Sequence, residues 1–157
     1  MKTISNSQLT IRVSPHGAEL CNIVCNGKEY LWQADPSFWK RHSPVLFPIV
    51  GSVWENEYRI DGATYNLTQH GFARDMNFEL IREQPDELRY RLADNEESRR
   101  RYPFPFRLEI GYRIQGKQIE VLWEVKNTGD KELHFQIGAH PAFYFQAFDM
   151  KSNERGY

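Results

Sequence analysis

The stretch from Phe106 to Val125 leaves a folding chain the least freedom. Leu108, Ile110, Tyr112 and Ile114 fall at every second position, Gly116-Lys117 interrupts, and Ile119, Val121, Trp123 and Val125 resume the period. Strand side chains alternate between two faces, whereas a helix brings every third or fourth residue to one side, so this spacing predicts two hairpin-linked strands. A sheet that is apolar on one face needs a second layer to cover it.

The same grammar runs through most of the chain. Residues 8–14 alternate, Pro15-His16-Gly17 turns, and Ala18 to Cys25 forms a strand closed by Asn26-Gly27, after which Glu29 to Trp32 returns. Tyr58-Arg59-Ile60 and Thr64 to Leu67 flank Asp61-Gly62, the clearest hairpin signal present. Asn77 to Arg82 and Leu88 to Ala93 flank Pro85-Asp86, and Leu133 to His140 reads as a further strand. Asp35-Pro36 opens a single helical turn. Asp94 to Arg101 is the one convincing helix, with Asp94 or Asn95 as cap, early Glu96 and Glu97, and Arg99-Arg100-Arg101 at the negative end of its dipole. Pro44 and Pro48 bar a regular strand between Arg41 and Gly51, leaving an apolar, extended segment that either lines a pocket or covers a sheet edge. With no internal repeat and no linker, the expected architecture is all-β, an antiparallel β-sandwich in a single domain over residues 1–157.

Composition narrows the function classes. The 20 basic and 21 acidic side chains nearly cancel, which argues against nucleic acid as a partner; the arginine triplet is the solvated end of a helix. No apolar run approaches the roughly 18 residues of a membrane span, and the N-terminus lacks a signal-peptide core, so a cytoplasmic protein is expected. Cys21 and Cys25 lie four apart on one predicted strand, about 13 Å between Cα atoms at about 3.3 Å per residue, too far for a disulfide. Neither has a Cys-x-x-Cys or His-x-x-x-His companion, so no metal site is expected. Aromatic residues make up 14% of the chain, which favours strands and equally supplies flat walls for sugar rings.

Two histidines stand where the chain leaves or enters a strand. His70 lies in Gln69-His70-Gly71-Phe72-Ala73-Arg74 and His140 in Gly138-Ala139-His140-Pro141-Ala142-Phe143. On the predicted strand before His140, Leu133, Phe135 and Ile137 point to the core, while His134, Gln136, Gly138 and His140 form a polar row, a reasonable cleft floor. His16 reads as a turn residue, and His42 and His134 as structural.

These motifs, with Phe47-Pro48 and Gly51, Asn56, the Asp61-Gly62 hairpin and Tyr102-Pro103-Phe104, run in an order that resembles the aldose 1-epimerase (mutarotase) superfamily, closest to its LacX-type and hexose-6-phosphate mutarotase-like branches. The resemblance implies a galactose mutarotase-like supersandwich, here incomplete, that interconverts the α and β anomers of a hexose or hexose phosphate without metal or organic cofactor. It assigns His140 as general acid on the ring oxygen and His70 as the second histidine, contacting that oxygen or a neighbouring hydroxyl. Arg41, Arg74, Asn56 and Gln136 become substrate-binding candidates, the arginines able to grip a phosphate. Where galactose mutarotases follow the asparagine with a sugar-binding arginine, this chain has Glu57, so galactose specificity does not carry over. The family's general base is a glutamate on a late strand, whereas here only Asp149 and Glu154 follow His140. The chain therefore resembles the N-terminal half of such a protein. A homo-oligomer or a complementing C-terminal half is expected to cover its open edges, and a non-catalytic carbohydrate-binding or structural fragment is the alternative.

Overall fold

The computed structural model describes residues 1–144. Its strands are β1 (Lys2–Ser5), β2 (Leu9–Val13), β3 (Leu20–Cys25), β4 (Lys28–Glu29), β5 (Val45–Leu46), β6 (Glu57–Ile60), β7 (Ala63–Asn66), β8 (Glu79–Glu83), β9 (Glu87–Ala93), β10 (Phe106–Gln115), β11 (Gln118–Asn127) and β12 (Gly138–Ala139), with the helix α1 (Glu96–Arg101) between β9 and β10. Two four-stranded antiparallel sheets, ordered β1-β2-β3-β4 and β11-β10-β9-β8, face each other, and two-stranded ladders join β12 to β5 and β6 to β7. The all-β antiparallel expectation is met.

The turn dipeptides sit where the sequence places them. Asn26-Gly27 separates β3 from β4 and Asp61-Gly62 separates β6 from β7, all four residues at positive φ, the conformation a two-residue hairpin needs. β10 and β11 pair in register from Phe106 opposite Asn127 to Gln115 opposite Gln118. Of the two candidate helix caps, Asn95 is the one used. Asn95 accepts from the Ser98 backbone N–H while the Ser98 hydroxyl accepts from the Asn95 N–H, a reciprocal capping box. Each arginine of its basic end has a carboxylate partner: Asp94 for Arg99, Glu96 for Arg100 and Glu97 for Arg101.

Ile11, Val13, Leu88, Tyr90, Leu108 and Ile110, all fully buried, interleave between the sheets. Beside them Phe47, Phe72, Tyr102 and Phe106 form an aromatic knot, Phe47 lying 5.0 Å from Phe106 and 6.5 Å from Phe72 between ring centroids. Burying a phenylalanine contributes about 1.5–3 kcal/mol, so this knot anchors the segments that carry His70 and the proline-rich stretch.

Two expectations need correction. The strand read over Leu133–His140 contracts to Gly138–Ala139, because its partner contains Pro44 and Pro48, which have no N–H to donate. The pairing continues as single bonds: Gln136 N–H to the Pro48 carbonyl (2.8 Å), His140 N–H to Pro44 (3.1 Å) and Ala142 N–H to His42 (3.0 Å). Phe135, expected in the core, is exposed on one side while its ring touches Phe47 at 5.8 Å. The apolar face of β11 also stays open, Val121 and Trp123 keeping 47% and 41% of their surface. They help line an apolar groove of about 680 Å³ with Leu9, Ile23, Tyr112 and Phe143. Among the described residues, no helix is long and apolar enough to cross a membrane.

Candidate active site

The candidate site is built on the chain from Pro44 to Gly51. Gly71 bridges Phe47 in parallel, and the Phe47 carbonyl accepts from both Phe72 and Ala73 N–H (3.0 and 3.2 Å). A Cβ on Gly71 would lie 2.3 Å from that carbonyl oxygen, and its φ is +70°, so only glycine fits this approach. The preceding His70 is held at φ +67°, a left-handed backbone seldom adopted by a residue with a side chain. Two bonds to Gly51 keep it there: His70 N–H donates to the Gly51 carbonyl (2.7 Å), and Gly51 N–H donates to His70 Nδ1 (3.0 Å).

From the other side, the pairing of β12 with β5 and the bond to Pro44 deliver His140. The two imidazoles meet edge to face, centroids 4.7 Å apart and planes at 87°. His70 is held below the ordinary histidine pKa, first by burial, then by the charges of His140 and Arg74. Its Nδ1 accepts a hydrogen bond, so the neutral ring carries its proton on Nε2 and presents a donor.

Arg41 and Arg74 converge on Asp75, Arg41 Nη2 at 2.8 Å from Oδ1 and Arg74 Nε at 3.7 Å from Oδ2. Arg74 also donates from Nη2 to the Gln69 carbonyl (2.7 Å), which fixes it on the His70 turn. Burial and the neighbouring Arg41 lower its pKa, with Asp75 opposing them. Two guanidinium groups and one carboxylate leave this corner one net positive charge.

His70, His140, Arg41 and Arg74 thus form one connected group. Gln136 lies alongside, its Oε1 already accepting from Val50 N–H (3.0 Å), so its amide N–H₂ is what it has to offer. Asn56 ends the short 3-10 turn Trp54–Asn56, at φ +60°, its carbonyl accepting from Leu67 N–H. Among the described residues, none of its bonds reaches either histidine. His16 meets Asn77 as a turn residue (3.2 Å), and His134 meets Phe104 edge to face (6.3 Å between ring centroids). Sequence reasoning missed Asp75 as the bridge between the arginines and Gly51 as the clamp on His70. Asp75 adjoins Arg74, but its pairing with Arg41 is tertiary. Asp149 and Glu154 lie outside the described residues.

The sequence profile of aldose 1-epimerase matches residues 1–155, and the chain belongs to the aldose 1-epimerase family. It is 34% identical over 152 residues to the plasmid-encoded protein LacX of Lactococcus lactis subsp. lactis, a match covering 89% of this chain and 49% of LacX. Among solved structures it is similar to a galactose mutarotase related enzyme from Lactobacillus acidophilus (38% identity, TM-score 0.92, 98% of this chain and 51% of that one). A galactose mutarotase-like protein from Lactobacillus casei is similar too (35% identity, TM-score 0.88, 91% and 49%). The chain spans about half the length of these relatives.

Proposed function

We propose that the cleft binds a hexose or hexose phosphate and takes part in interconverting its anomers by acid/base ring opening. The observation that carries this reading is the contact of His70 with His140, whose rings meet although 70 residues separate them in sequence. In the forward step a base removes the anomeric hydroxyl proton while His140 protonates the ring oxygen. The bond between the anomeric carbon and that oxygen breaks, and an open-chain aldehyde forms. Rotation about the adjacent carbon–carbon bond and reclosure, with the proton transfers reversed, give the other anomer. His70, neutral with a proton on Nε2, hydrogen-bonds the ring oxygen or a neighbouring hydroxyl. Arg41 and Arg74 hold hydroxyls or a phosphate. The free thiols Cys21 and Cys25 suit a reducing, cytoplasmic setting.

Asp75 Oδ1 already accepts from Arg41 Nη2, which favours a base from elsewhere in an assembly or in further polypeptide. We propose that such a partner covers the apolar groove and the open face of β11. A second reading, a carbohydrate-binding module without complete chemistry, rests on that engaged carboxylate.

The test is mutarotation of glucose, galactose and glucose 6-phosphate by the purified chain beside His140→Gln, with sugar binding followed by calorimetry. Acceleration that is lost in His140→Gln supports the enzyme reading with the base supplied in the assembly. Binding without acceleration selects the second reading. Absence of both overturns the sugar cleft.

A further inference from the structure

A second group of chemically active side chains lies outside the cleft, where the turn between β2 and β3 meets residues 41–44. Glu19, Cys21 and His42 bring a carboxylate oxygen, a sulfur and a ring nitrogen within 4.8 Å of one another. The backbone around them is firmly tied. The Glu19 carbonyl accepts from Ser14 N–H (2.8 Å) and from the Cys21 thiol (3.2 Å), and Glu19 Oε1 accepts from His42 and Ser43 N–H (2.8 and 3.0 Å).

That leaves Glu19 Oε2 facing His42 Nδ1 at 3.9 Å, longer than a hydrogen bond. His42 Nδ1 is sealed from solvent and makes no hydrogen bond among the described residues. A buried ring nitrogen in that state is costly as a donor or as a lone pair. A cation placed between nitrogen, carboxylate and sulfur satisfies all three. Bonds of about 2.0–2.3 Å put tetrahedral ligand atoms about 3.3–3.8 Å apart, so the group needs to close by about an ångström.

We propose that Glu19, Cys21 and His42 form a three-ligand site for a borderline-soft divalent cation of the zinc class, clamping residues 41–44 onto the β2–β3 turn. The oxygen, nitrogen and sulfur donors suit such an ion better than magnesium or calcium, and three ligands leave a fourth position for water. Cation binding replaces the thiol proton, which leaves to solvent, while His42 donates its Nδ1 lone pair; no oxidation is involved. Burial, aided by Glu19, pushes the Cys21 thiol up to about 11, so the metal-free chain carries that proton at neutral pH. The clamp adjoins the cleft, because the His42 and Pro44 carbonyls accept from Ala142 and His140 N–H. It does not depend on the sugar reading. Spacing in sequence offers Cys21 only Cys25 as a companion, whereas folding supplies Glu19 and His42.

The experiment titrates Co²⁺ into the chelator-stripped chain and reads sulfur-to-cobalt charge-transfer absorbance, with displacement by Zn²⁺. The expected result is one equivalent per chain and a band that Cys21→Ser abolishes and Cys25→Ser retains. His42→Ala and Glu19→Gln should each weaken binding by about tenfold or more. The amide introduced by Glu19→Gln keeps an oxygen for the His42 and Ser43 N–H groups, so that variant tests the ligand without dismantling the turn; circular dichroism confirms its fold. Absence of the band in the parent chain overturns the proposal, as does a band surviving Cys21→Ser or an affinity unmoved in folded Glu19→Gln.

Discussion

At His70 a left-handed backbone, a fixed tautomer and a depressed pKa coincide, and each has its own cause: the turn into Gly71, the Gly51 N–H, and burial beside His140 and Arg74. Strain held at one histidine by two hydrogen bonds points to a position kept for its ring. NMR of the imidazole carbons should find His70 titrating below its ordinary 6.5, and His140→Gln should move it upward only part of the way, since burial is the larger cause. A His70 that titrates at the ordinary value in both proteins would remove the electrostatic account. Stability carries the matching pH dependence. A histidine with a lowered folded pKa leaves stability intact above 6.5, and stability falls as pH drops through that value toward the folded one, because the unfolded chain takes up the proton first.

At the scale of elements, the outward face of the β8–β11 sheet is organised by two buried carboxylates. Glu87, 2% exposed, meets Arg113 at 2.8 Å with Arg82 and Arg89 nearby, and Glu109 meets Arg91 and Arg107 at 3.1 and 3.2 Å. Burial raises the pKa of Glu87, but the Arg113 hydrogen bond and the surrounding guanidinium charges together lower it further than burial raises it. Its stabilisation is therefore present above the ordinary glutamate value of 4.5 and lost as pH falls below it. Glu87→Gln should lose about 1–3 kcal/mol at neutral pH and flatten the acid limb of stability, read from thermal melts between neutral pH and acid. An unchanged acid limb would assign that limb to other carboxylates. The alternation of β10 and β11 and the Asn26-Gly27 and Asp61-Gly62 turns are legible in sequence because strand period and turn conformation are local properties. The segment before His140 reads there as a full strand and folds as a short one, since its pairing depends on what lies opposite, two prolines more than half the chain away. The paired histidines emerge from motifs in order, not from spacing, and the cluster at Glu19, Cys21 and His42 leaves no trace in sequence, since residues 19 and 42 meet only after folding.

For the whole molecule, the open groove sets behaviour in solution. Apolar surface rimmed by an uncovered strand favours association, so sedimentation velocity should show mass rising with concentration, and Val121→Lys with Trp123→Lys should suppress it. A concentration-independent monomer would count against a covered groove. A different consequence attaches to the short stretch from Pro44 to Gly51. It holds Gly51 against His70, Pro48 against Gln136 and Pro44 against His140, so two segments distant in the chain are aligned by one ruler. Such a ruler has no purchase until the long loops around it have closed, which places these contacts late in folding. A chain that has collapsed but not finished would hold both imidazoles without their mutual geometry, which makes the histidine contact a reporter of completed folding.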